Sequence, residues 1–228
     1  SLDMEQGSLS LTFAKQMNSS LFKFDHVSLQ SVEANATEGV RLQLAQEFVA
    51  VPEQLAFVHN IPLVPYGLNQ LKRCAPALGT TTSNTFIALD AQFAVDVDVK
   101  DVYPIKDTKA LGAKTVVADA TSPMLLAFNV STALDPICTI TFEFSEPMDV
   151  DSLSSTTVVL QSRASSSSAG FDSMELAGTW EDSTDADPLR YQFVVDAADA
   201  LSLIDRAGDL GKFSNTTFVR FASGAAPR

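Results

Sequence analysis

Four asparagines stand in the N-x-S/T context that accepts an N-linked glycan: Asn18 (N-S-S), Asn35 (N-A-T), Asn129 (N-V-S) and Asn215 (N-T-T). The chain has seven Asn in all, with 24 Ser and 18 Thr to fill the third position, so roughly one match arises by chance. Four point to a glycosylated chain that passes through a secretory route. Carboxylates form the second set. Asp96, Asp98, Asp119, Glu146 and Asp149 gather around the middle of the chain and can offer oxygen ligands to Ca²⁺, which takes about six to eight. Asp96 and Asp98 are two apart on an expected strand and share a face. No D-x-D-x-D-G loop accompanies them, and a solvated acidic surface is the plain alternative.

Nucleophilic chemistry finds little support. There is no G-x-S-x-G elbow. His59 and Cys74 can pair in principle, but the second half of the chain holds no matching pair, and His26 sits beside Val27 on an expected strand. Two His and two Cys do not by themselves make a multi-ligand zinc site. Cys74 and Cys138 are compatible with one disulfide or with two buried thiols. Trp180, the only Trp, reads as half-buried packing, with a sugar-stacking platform as the alternative. The expectation is a chain that is not an enzyme and needs no cofactor beyond that calcium.

The elements that must position these residues are β. Of the 228 residues, 46% are apolar and 19% charged, enough to bury a core. The net charge of -13 disfavours nucleic acid and anionic lipid. No apolar run approaches the ~20 residues of a membrane helix. Leu9, Leu11 and Phe13 alternate with Ser8, Ser10 and Thr12, and Ile140, Phe142 and Phe144 with Thr139, Thr141 and Glu143. Period two marks a half-buried strand. Further strands are expected at 26–32, 40–45, 54–59, 85–90 and 93–100, then at 124–129, 156–161, 173–178, 190–196 and 216–222. A short helix is expected in each half, at 67–75 and 197–207, ended by Pro76 and Gly208.

Self-comparison shows a duplication. A shift of 131 places Phe13 on Phe144, Met17 on Met148, Val27 on Val158, Leu29 on Leu160 and Gln30-Ser31 on Gln161-Ser162. LGTTTSNTFIAL (78–89) falls on LGKFSNTTFVRF (210–221) at the same offset or one more. The chain therefore divides into a first unit (1–106), a linker (107–123) and a second unit (124–228). By the repeat, the first unit lacks its opening strand and the second its closing strand. A longer parent chain or a neighbouring chain would supply them.

FEFSEPMDVDSL (142–153), preceded by DATSPMLLAF (119–128), resembles the bacterial Ig-like domains that carry an F-S-E-P-M-D motif. The block at 68–86 is similar to the long Ig-like repeats of giant secreted algal and protist proteins. Unit one departs from the motif, with AKQMNSS (14–20) in place of SEPMDVD (145–151). The resemblance implies an all-β chain of two tandem Ig-like β-sandwiches, each with one short helix. By fold-level analogy it implies a structural repeat module of a secreted glycoprotein, at the cell surface or outside the cell. Such a module builds an extracellular filament, a surface stalk or a flagellar hair of the mastigoneme type. Its partners would be copies of itself or neighbouring repeats, with N-linked glycans on its surface. The alternative is an adhesive module that binds glycan or protein.

Overall fold

The computed structural model describes residues 1–34, 40–44, 54–96, 98, 100–132, 138–154, 157–167, 170–181, 187–205, 210 and 217–222. The chain forms two compact units, Ser1–Thr121 and Ser122–Arg228. Unit 1 contains β1 (Leu2–Asp3), β2 (Ser8–Asn18), β3 (Val27–Gln30), β4 (Arg41–Gln43), β5 (Leu55–Pro62), α1 (Pro65–Arg73), β6 (Phe86–Leu89), β7 (Leu111–Gly112) and β8 (Val116–Val117). Unit 2 contains β9 (Leu125–Thr132), β10 (Cys138–Phe144), α2 (Val150–Ser154), β11 (Val158–Gln161), β12 (Ser173–Leu176), β13 (Gly178–Glu181), β14 (Arg190–Val195), α3 (Ala197–Asp205) and β15 (Phe218–Phe221).

Unit 1 has two sheets, in the orders β5-β2-β1-β8 and β4-β3-β6-β7; unit 2 has β13-β14-β10-β9 and β12-β11-β15. Among the described residues all strand pairings are antiparallel except β1 with β8, which is parallel. Each unit has its own apolar core. In unit 1, Leu9, Leu11 and Ile61 from one sheet meet Val27, Leu29 and Leu89 from the other. In unit 2, Ile140, Phe142 and Phe193 meet Val158 and Leu160. Each such side chain contributes about 1.5–3 kcal/mol when fully buried. Gly7 makes the β1–β2 turn at φ 61, a left-handed conformation that a side chain resists.

The expectation of an all-β chain of tandem Ig-like β-sandwiches is overturned, and with it the Ig-like resemblance. Among the described residues the fold is mixed α/β, with three α-helices and four open sheets. The helices supply part of the cores: Leu71 of α1, Leu153 of α2, and Ala200 and Leu203 of α3 are all buried. α1 has strong local causes. Pro65 stands in its first turn, where a missing N–H costs nothing, and Lys72 and Arg73 complement the negative end of the dipole. Among the described residues of 93–100 no strand forms: Ala91–Phe93 is a 3₁₀ turn, and isolated bridges follow at Met17–Asp96 and Val95–Asp101.

The duplication is visible element by element. α1 and α3 are both nine residues long and lie 132 apart, Pro65 against Ala197. β3 and β11 are buried at all four positions. The repeated Gln-Ser pair ends both strands in the same way. Ser31 Oγ accepts from Val40 N at 2.9 Å while Ser31 N donates to Val40 O; Ser162 Oγ accepts from Asp172 N at 2.9 Å while Ser162 N donates to Asp172 O. Each serine thus clamps the incoming end of the next strand. Residues 107–121 pack within unit 1. β7 extends one of its sheets and β8 the other, and Glu5 accepts hydrogen bonds from Ala120 N and Thr121 Oγ1, both 2.9 Å.

Candidate functional site

The glycan acceptors have different surroundings. Asn129 is exposed on β9. Asn18 ends β2, half-buried, and its Oδ1 accepts from Ser20 N at 3.0 Å and Ser20 Oγ at 2.8 Å. Asn35 and Asn215 lie outside the described residues.

Of the acidic residues expected as calcium ligands, Asp96, Asp98, Asp119 and Asp149 have partners within the chain. Asp96, 8% exposed, accepts from Lys15 Nζ at 2.9 Å through Oδ2, and from Asp98 N and Lys100 N at 2.9 Å through Oδ1. The Lys15 ammonium and these backbone donors hold its carboxyl below the ordinary 3.8. Asp98 stands 3.6 Å from the same ammonium. The two carboxylates therefore converge on a cation that the protein supplies, across a turn and not along a strand face. Asp119 pairs with Lys72 at 3.0 Å. Asp149 precedes α2 and accepts from Asp151 N at 3.1 Å, and Glu146 is half-buried nearby in sequence. Among the described residues, no three His, Cys, Asp or Glu side chains group as a metal site would require.

Cys74 and Cys138 are free thiols, and burial raises the pKa of both. His59 is 1% exposed, ringed by Phe13 and Phe22. Its Nε2 lies 3.0 Å from Ala56 O, and its Nδ1 has no hydrogen-bond partner among the described residues. His26 is half-buried, 3.3 Å from Asp90. Trp180 packs on Phe142 and Phe193, with ring centroids 5.1 and 5.2 Å away, and serves the core of unit 2.

A groove of ≈ 660 Å³ opens between the two sheets of unit 1. One wall is β2 from Leu11 to Lys15, and the other comes from β6, β7 and the 101–105 segment. The lining is apolar, including Phe13, Phe86, Ile87 and Val102, and the Lys15–Asp96 pair lies at its edge. Ser1 closes one end through a reciprocal pair with Ser10, N to O and O to N, both 2.9 Å. The sequence marks this margin only through the repeat, because the groove is built by residues far apart in the chain. Among the described residues, no helix is long and apolar enough to cross a membrane. Comparison with protein-family models, curated proteins and solved structures gave no match.

Proposed function

We propose that the chain is a structural repeat module of a secreted glycoprotein, built into an extracellular filament, surface stalk or flagellar hair. One observation supports this reading above the others: a shared series of elements occurs twice, β1-β2-β3-β4-β5-α1-β6 against β9-β10-β11-β12-β14-α3-β15, and each copy encloses its own apolar core. Duplicated units with separate cores are the plan of a repeat array. Of the two acceptors among the described residues, Asn129, exposed on β9, is the better placed to carry a sugar. Electron microscopy of native material, with glycopeptide mass spectrometry, tests the proposal. An ordered polymer carrying a glycan on Asn129 is expected. Dispersed single particles with unmodified Asn129 would overturn it.

A further inference from the structure

We infer that the outer face of the β4-β3-β6 sheet in unit 1 carries a sugar site, which takes a single neutral pyranose ring. A cleft of ≈ 150 Å³ opens there. The strand register explains it. Ser28 lies opposite Gln43 of β4 on one side and Ala88 of β6 on the other. Ile105 bridges Leu89, which sets Lys106 beside Ala88. Val27 and Leu29 turn into the core, so Ser28 between them turns to the outer face. The two central strands therefore present the smallest side chains of this row, flanked by the long ones of Gln43 and Lys106, and the surface dips between them.

Unit 2 fills the same place. β11 and β15 set Val159 opposite Arg220 where β3 and β6 set Ser28 opposite Ala88. The cleft is thus a departure of unit 1 from the repeat. Its floor is polar. Ser28 is 2% exposed and lines the cleft, and among the described residues its hydroxyl has no hydrogen-bond partner. Gln43 commits Nε2 to Asp25 O at 2.6 Å and Val27 O at 2.9 Å, which leaves Oε1 to accept. Each end wall joins a basic group to a carboxylate, Arg41 to Asp107 at 3.1 Å and His26 to Asp90 at 3.3 Å. An entering anion would meet both carboxylates, and an entering cation would meet Arg41 and Lys106. A hydroxyl donates and accepts at once, so a neutral polyol satisfies groups of both kinds. The space equals that of about five waters at ~30 Å³ each, which is the scale of one sugar ring and well below the clefts of drug-sized ligands. Ala88 and Pro104 offer carbon surface to the C–H face of the ring.

The site does not depend on the assembly reading above. The methyl pyranosides of glucose, galactose and mannose are titrated singly into the isotope-labelled full chain, to about 50 mM, and amide shifts are read by NMR. At least one should give saturable shifts at Ser28, Gln43 and Ala88 with a millimolar Kd, leaving Val159 and Arg220 unmoved. Ser28→Ala should weaken that binding about tenfold, and Ala88→Arg, which copies unit 2, should abolish it. A urea midpoint close to that of the wild type shows that each variant is folded. No saturable shift with any of the three glycosides would overturn the inference. So would undiminished binding by Ser28→Ala, or inorganic phosphate moving the same amides as strongly.

Discussion

His59 and Tyr191 hold the same place in the two units. His59 lies across from Leu11 on β2, and Tyr191 across from Phe142 on β10. Both are buried, and each reaches the carbonyl three residues upstream, Ala56 O at 3.0 Å and Pro188 O at 3.2 Å. The hydroxyl of Tyr191 does more. It accepts from Met148 N at 2.7 Å and directs its proton at Met148 O and Pro188 O. Tyr191→Phe leaves a buried N–H unpaired and should cost unit 2 about 1–3 kcal/mol. His59→Phe removes one bond but also an unpartnered Nδ1, so its cost in unit 1 should stay below about 1 kcal/mol. Urea denaturation of the two variants checks the asymmetry, and equal costs would contradict it.

Acid should loosen unit 1 through Asp96. Its carboxyl is held below the ordinary 3.8 by the Lys15 ammonium and two backbone N–H groups. A depressed folded-state pKa gives stability that is complete above the unfolded value and is lost as pH falls through the folded one. The loss therefore begins near pH 4 and continues below it. Asp96→Asn should flatten this part of the profile, measured as the denaturation midpoint between about pH 2 and 6.

Thiol chemistry should report the two units separately. Burial raises both cysteines above the ordinary 9.0. A raised thiol pKa gives stability that is present at neutral pH and is lost as pH rises through the folded value. Cys138, 1% exposed, should resist alkylation at pH 8 until unit 2 unfolds, while half-buried Cys74 should react slowly in the native state. Mass-resolved iodoacetamide labelling along a urea series separates the two, and rapid native labelling of Cys138 would refute the assignment.

Gly178 is fixed by its neighbours. A Cβ there would lie 2.8 Å from the Phe193 ring and press on the carbonyl of Val194. Gly178→Ala should destabilise unit 2 by about 1–3 kcal/mol, because a backbone oxygen cannot step aside as a side chain can. Calorimetry should show the melting of unit 2 shifted down and that of unit 1 unmoved.

What the sequence made legible was the pattern shared by the copies. Val27 and Leu29 against Val158 and Leu160, and Gln30-Ser31 against Gln161-Ser162, are repeated residue types, and they fall on β3 and β11 as buried strands with equivalent serine clamps. The His59–Tyr191 correspondence was hidden because the two types differ while the backbone position is the same. β7 and β8 have two residues each, too few for any period to register. The class of fold was misread for a related reason. α2 spans five residues, and the weight of α1 and α3 in the cores follows from Leu71 and Leu203 meeting side chains distant in sequence. The partners of the acidic residues were not legible, because spacing along the chain says nothing of Lys15 or Lys72, which reach Asp96 and Asp119 from 81 and 47 positions away.

The parallel pairing of β1 with β8 gives unit 1 a definite response to tension. Leu2 N donates to Thr115 O at 3.0 Å and Met4 N to Val117 O at 2.8 Å. Because these strands run the same way, a pull on the two ends of the unit drags them past each other lengthwise. Both bonds then bear the load at once, in shear, where an antiparallel hairpin pulled from its open end would unzip one rung at a time.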